Sequence, residues 1–396
     1  MRGSRGARRG PDLNELTIIG DGAILICDGV IKEVGPSRRL ENLAGTRDAI
    51  EINAAGRVVM PGFVDSHTHL AFPLGDSADP AEDIRAVRSS TGARVAVRAR
   101  SHLEAMARHG TTTVEVKTGC GPDETAETKL LRVLNELRSE PIDLISTFLF
   151  QLPGEDLDGA HNAAAEWVFS DLMPKIRRRR LAGFADVAWN ANPTSHCRSS
   201  RFLQVARQLG FGCRIHADAA CAGAAILMGM EHLVAAIDHL EHATPEDAAR
   251  LGAGSSVATL LPSAAFHQET PFAPARALID SGAAVALASN FNPIHTPAWS
   301  MQTAVALACR YMKMTPAEAI TAATFNGAYA LGRSAQCGSL EPGKAADILI
   351  LNVPDYRDVA RHFGDNLVHL TMKRGVIIYQ EGGVARLPDS QLRLSW

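Results

Sequence analysis

Residues 61–70 read Pro61-Gly62-Phe63-Val64-Asp65-Ser66-His67-Thr68-His69-Leu70. Pro-Gly is a turn signal, the short apolar run after it is strand-like, and the His-x-His ending puts two imidazoles at i and i+2, on one side of a strand. Two histidines so placed can share one transition-metal ion. A third ligand from elsewhere in the chain would complete a site with an open position for water, the arrangement a hydrolase needs. The stretch therefore predicts a buried strand with chemistry at its C-terminal end.

Working outward, seven further apolar runs alternate with amphipathic helical stretches. They are TTTVEVK at 111–117, IDLISTFLF at 142–150, ADVAWN at 185–190, GCRIHA at 212–217, AAIDHL at 235–240, SSVATLL at 255–261 and AAVALASN at 283–290. Repeated βα units imply a parallel sheet, and eight of them predict an α/β fold, a (β/α)8 barrel of the TIM type. Two helix starts are written plainly. Thr244 and Thr315 each precede a proline with acids in the first turn, and Glu318 completes a capping box. In such a barrel the active site lies at the C-terminal strand ends. The polar residues there are His67 and His69 on the first strand, His216 on the fifth, His239 on the sixth and Asn290 on the eighth.

Flanking the barrel, residues 15–60 break into short β-rich runs, LTIIG, GAILICDG, VIKEVG, AIEINAAG and RVVM, and Asp28-Gly29 is a hairpin signal. A similar pattern returns in DILILNV and LVHLTMKRGVIIYQ. We expect three regions: two β-rich flanks, 1–60 and 336–396, and 61–335 as the barrel.

Composition narrows the function classes. The chain has 396 residues, 46% hydrophobic and 21% charged, with a net charge of −3, an ordinary globular profile that calls for neither nucleic acid nor membrane. The basic run Arg177–Arg180 reads as a solvated helix end. Seven scattered cysteines without a CxxC pair predict reduced thiols and a cytoplasmic protein. Met1–Gly10 is basic but no apolar segment follows, so it does not read as a secretory signal.

From about Val58 to Ala345 the chain resembles the amidohydrolase superfamily and, within it, the imidazolonepropionases, ring-opening enzymes of histidine degradation. The resemblance is carried by VMPGFVDSHTHL (59–70), GTTTVEVKTGCG (110–121), RIHADAACAGAA (214–225), DHLEHAT (238–244), ATLLP (258–262), VALASNFNP (285–293) and MTPAEAITAATFNGAYALG (314–332). It implies that the terminal β segments pair into one sandwich beside the barrel. It also implies one divalent transition metal, zinc first and iron second, on His67, His69 and His216, with His239 as proton shuttle.

Several positions depart from the family's pattern. Asn290 stands where the family has a metal-binding aspartate, and an amide takes no proton at neutral pH. Ala219 replaces a glutamate three residues after the fifth-strand histidine. Gln151 replaces a histidine, Asn190 an expected acid, and Cys120 a substrate-binding tyrosine. The arginine expected after the His-x-His motif is absent from Phe72–Ser77, while Asn292-Pro293 is kept. Gln151, Asn190, Cys120 and Asn292 are thus the candidate substrate-binding residues, and His239 and Asn290 the candidate catalytic ones. The expected activity is hydrolysis of a C–N bond in a small cyclic amide or heterocycle, by an enzyme whose partner is that small molecule and whose assembly could be a homodimer. Two readings stay open beside it: a cyclase, dehydratase or isomerase on the same scaffold, and a binding protein without catalysis.

Overall fold

The eight predicted runs form one parallel sheet in the computed structural model, which describes residues 6–46, 49–54, 56–71, 80–151, 160–189, 193–217, 222–383 and 392–395. We number its strands β1 (Phe63–Asp65), β2 (Thr111–Lys117), β3 (Asp143–Phe150), β4 (Phe184–Ala188), β5 (Gly212–His216), β6 (Ala236–Asp238), β7 (Val257–Leu260) and β8 (Ala284–Leu287). Each pairs with its successor in chain order, with helices covering the outer face. Gly62 opens β1 because a Cβ there would lie 2.3 Å from Thr112.

β1 is shorter than its sequence suggests. It ends at Asp65, so His67 and His69 follow the strand instead of ending it. The reason is the closure of the barrel. Beyond the strands, the Asn290 amide donates to His67 O at 3.1 Å, the His69 amide donates to Phe291 O at 2.7 Å, and Asp65 accepts from the Ser289 amide and hydroxyl at 3.0 and 2.5 Å. These bonds stitch the first strand's continuation to the eighth's. The imidazoles keep their alternating placement although the ladder has ended.

Two four-stranded sheets stand beside the barrel. One has the order Val30–Pro36, Gly22–Cys27, Leu392–Ser395, Ile50–Asn53; the other runs Val376–Gln380, Val368–Lys373, Ile348–Leu351, Val58–Pro61. Both mix N- and C-terminal segments, and Ile24, Ile26, Ile348, Ile350, Leu370 and Met372 share one apolar core between them. Asp28-Gly29 forms the expected tight hairpin, both residues at positive φ. LTIIG at 16–20 is not a strand: the edge beside Gly22–Cys27 that it would need is taken by Leu392–Ser395.

Both predicted caps are present. Thr244 pairs reciprocally with Asp247, and Thr315 with Glu318. The helix at Pro316–Thr321 packs under the barrel, so its cap matters globally. Thr315→Ala should lower stability by about 1 kcal/mol in denaturant titration, with the far-ultraviolet spectrum unchanged.

Candidate active site

The floor of the barrel interior is charged. On β2, the alternation that sends Val114 and Val116 outward to the helices sends Glu115 and Lys117 inward. Lys117 Nζ donates to Asp186 of β4 at 2.5 Å and to Asp238 of β6 at 2.9 Å, and lies 3.4 Å from Glu115. Arg214 of β5 donates to Asp238 at 2.9 Å and to Ser66 O at 3.0 Å, and its Nε is 3.3 Å from Glu115. All five side chains are fully buried. Burial pushes the Asp238 carboxyl upward, but Arg214 and Lys117 outweigh it and hold it well below the usual range. For Lys117, burial is likewise outweighed by Asp186, Asp238 and Glu115, so it stays charged.

Four imidazoles sit on this floor. His67 Nδ1 lies 2.8 Å from Asp238 Oδ2, so the carboxylate fixes the Nδ1–H tautomer and leaves the Nε2 lone pair facing the cavity. His67 Nε2 is 3.2 Å from His69 Nε2, and His216 Nε2 is 2.9 Å from His239 Nε2. Behind His239, Glu241 lies 3.1 Å from Nδ1. Burial and the Lys117 charge drive His67 well below the ordinary histidine range and His69 down to about 3; burial and the neighbouring imidazoles do the same to His216. The His67–Asp238 contact is therefore a hydrogen bond from a neutral ring. His239 and Asn290 both adopt positive φ, +78° and +52°, an unusual conformation that asparagine and histidine tolerate better than most residues.

Such a set fits a divalent transition metal. Imidazole nitrogens directed at each other at about 3 Å form an arrangement that a cation between them reconciles. His67, His216 and His239 each bring one nitrogen within 4.8 Å of the others. Glu115 and Asp238 also lie near His67 but are already neutralised by Lys117 and Arg214.

Above the imidazoles opens a cavity of about 340 Å³ lined by His69, His216, His239, Gln151, Asn290 and Asn292, together with Thr118, Gly119, Leu149, Gln268 and His295. The structure thus brings together seven of the predicted site residues, His67 lying just beneath. Gln151 donates to Gly119 O at 2.6 Å, and Asn292 Oδ1 accepts from the Ile294 and His295 amides. Asn290 is 6% exposed and its Oδ1 has no hydrogen-bond partner among the described residues. Cys120 is not on the wall: it is fully buried among Leu70, Val95 and Leu130, and its amide donates to Glu127. Asn190, Ala219 and Phe72–Ser77 lie outside the described residues. Sequence reasoning missed Asp238, Lys117, Arg214, Glu241, Gln268 and His295. For Asp238 and Glu241 the signal was the run Asp-His-Leu-Glu-His, a histidine flanked by acids.

Residues 58–378 match the Amidohydrolase family, and the chain belongs to it. Its curated relatives include the imidazolonepropionase of Parabacteroides distasonis, 39% identical over 93% of this chain and 94% of that protein. The imidazolonepropionase of Symbiobacterium thermophilum is 36% identical over 96% of this chain and 95% of that protein. Among solved structures, N-isopropylammelide isopropylaminohydrolase from Burkholderia multivorans superposes with a TM-score of 0.71 at 19% identity, covering 91% of this chain and 95% of that one, a likeness of fold.

Two measurements test the site. Protein purified without chelator should carry about one transition-metal ion per chain by elemental analysis, and His67→Ala with His69→Ala should carry none. Lys117→Met leaves three buried acids without their shared cation and should cost about 3–5 kcal/mol of stability by chemical denaturation.

Proposed function

We propose that this protein is a metal-dependent hydrolase that opens a C–N bond in a small cyclic amide or related heterocycle. The observation that carries the reading is the convergence of four imidazoles at the C-terminal end of the barrel, His67 buried and His69, His216 and His239 partly exposed on the wall of one cavity. Kinship with imidazolonepropionases supports a ring as substrate. His67, His69 and His216 would hold the metal, which we take to be zinc before iron. When bound, it supplies Lewis-acid polarisation and lowers the pKa of water.

The chain's own residues do the rest. Asp238 holds His67 in the tautomer that presents Nε2, and Lys117 and Arg214 keep Asp238 charged and fixed. His239, backed by Glu241 through Nδ1, presents Nε2 to the cavity and is the group we assign to carry a proton from the attacking water to the leaving nitrogen. Asn290 Oδ1 accepts from a substrate N–H, and Gln151 and Asn292 orient the ring. The cysteines at 27, 120, 197, 213, 309 and 337 are free thiols, which supports a cytoplasmic setting.

Asn290 also marks what the site lacks. A carboxylate there would give a second proton acceptor, and such groups are worth ~10² to 10⁴ in rate. Asn290→Asp should therefore raise kcat for ring opening of a cyclic amide by about 10²-fold, measured by loss of the ring's ultraviolet absorbance. A rate that stays level or falls would count for the non-hydrolytic reading, in which no water needs deprotonation.

A further inference from the structure

A buried carboxyl with no part in the proposed chemistry lies behind the cavity wall. Glu127, in the first turn of the helix Glu124–Glu136, is fully buried. Its Oε2 accepts from the Cys120 amide at 3.0 Å, and its Oε1 has no hydrogen-bond partner among the described residues. Burial lifts the carboxyl to about 7, against the pull of the donors in segment 118–120. An acid is costly at that depth, and the groups it meets there belong to the segment that joins β2 to the helix.

That segment is fixed at both ends. The Thr118 amide donates to Thr147 O at 3.0 Å and Thr118 Oγ1 accepts from the Leu149 amide at 3.3 Å, while Asp123 caps the helix through the Ala126 amide. Between these ends, the Gly119–Cys120 peptide has its two polar atoms on different partners. Its N–H goes to Glu127, and its C=O accepts from Gln151 Nε2 at 2.6 Å. A carbonyl can only accept, so this contact fixes which end of the Gln151 carboxamide faces Gly119. Nε2 is turned to the loop, and Oε1 is left to the cavity whose wall Gln151 helps to form.

The local backbone does not enforce this arrangement by itself. Gly119 sits at φ +152°, where a Cβ would lie 2.8 Å from Gln151 Nε2, and Gly121 at φ +61°. A peptide next to a residue with a glycine's freedom can be turned over at little cost. Turned over, it would point its N–H at Gln151, the carboxamide would reverse to meet it, and Nε2 would face the cavity in place of Oε1. The Glu127 carboxylate disfavours that state, because its oxygen accepts from an N–H and repels a carbonyl oxygen. It also polarises the peptide, which strengthens the Gly119 carbonyl as an acceptor for Gln151.

We propose that Glu127 is a positioning residue that sets, through the Gly119–Cys120 peptide, the polarity Gln151 shows to substrate: an acceptor, which selects a ring N–H at that point of the wall. Selection of a ring N–H rests on the cyclic-amide reading; the coupling of Glu127 to Gln151 stands apart from it.

The test reads the Gln151 side-chain amide by nuclear magnetic resonance, assigned by its loss in Gln151→Leu, together with calorimetric binding of hydantoin and 1,3-dimethylhydantoin to the zinc-loaded protein. In the wild type, one Gln151 Nε2 proton should exchange with water at least ~10-fold more slowly than those of exposed glutamines. Hydantoin should bind more tightly than its dimethyl derivative, which has no N–H. Glu127→Gln, which keeps an acceptor for the Cys120 amide, should retain both properties. Glu127→Leu should lose the protection and reduce the preference for hydantoin by at least ~10-fold, a change in selectivity that lost packing alone does not produce. An unprotected Gln151 amide in the wild type, which no folding defect explains, overturns the proposal, and so does a folded Glu127→Leu that keeps the wild-type preference. If neither hydantoin binds while the amide behaves as expected, the cyclic-amide reading falls and the coupling of Glu127 to Gln151 is upheld.

Discussion

A lysine and an arginine buried among three carboxylates are what the rest of this site depends on. Lys117 and Arg214 draw Glu115, Asp186 and Asp238 from β2, β4 and β6 to the barrel axis, and Asp238 passes that order to His67 through one hydrogen bond. Charges this deep are costly to desolvate, and a well-packed apolar core would serve stability as well. What the cluster provides is direction. Without a fixed carboxylate, neither the tautomer nor the plane of His67 would be specified, and the lone pair aimed at the cavity would be one of several options.

Electrostatics also explain why His67 is neutral. A histidine beside an aspartate would ordinarily be expected to gain a proton. Here burial and the Lys117 charge outweigh Asp238, so the ring donates a hydrogen bond while remaining uncharged. The same cation that steadies the acid keeps the base free of its proton, and a neutral imidazole is the form that ligates metal.

Much of this was legible in the sequence, and the limits have physical causes. The barrel could be read because each strand is a short apolar run bounded by helix signals, and His67, His69, His216, His239 and Asn290 could be found because each closes such a run. The interior charges were harder. TTTVEVK alternates, so Glu115 and Lys117 share a face, but one strand cannot say whether that face is the barrel axis or the helix layer; only Asp186, Arg214 and Asp238 arriving from other strands decide it. Gln268 and His295 sit on connecting segments whose course no periodicity encodes. Cys120 matched by position in a motif, yet a small apolar side chain is better satisfied among Leu70, Val95 and Leu130 than at a wet wall.

The barrel closes through the segments that carry its chemistry. His67 and His69 exchange backbone hydrogen bonds with Asn290 and Phe291 across the seam between first and last strands. A molecule held between those imidazoles and the Asn290 carboxamide bridges that seam from inside, so its binding free energy adds to the closure of the barrel by linkage. Occupancy and rigidity are therefore one equilibrium here. The part of the barrel with the fewest ladder bonds of its own is the part a ligand fastens.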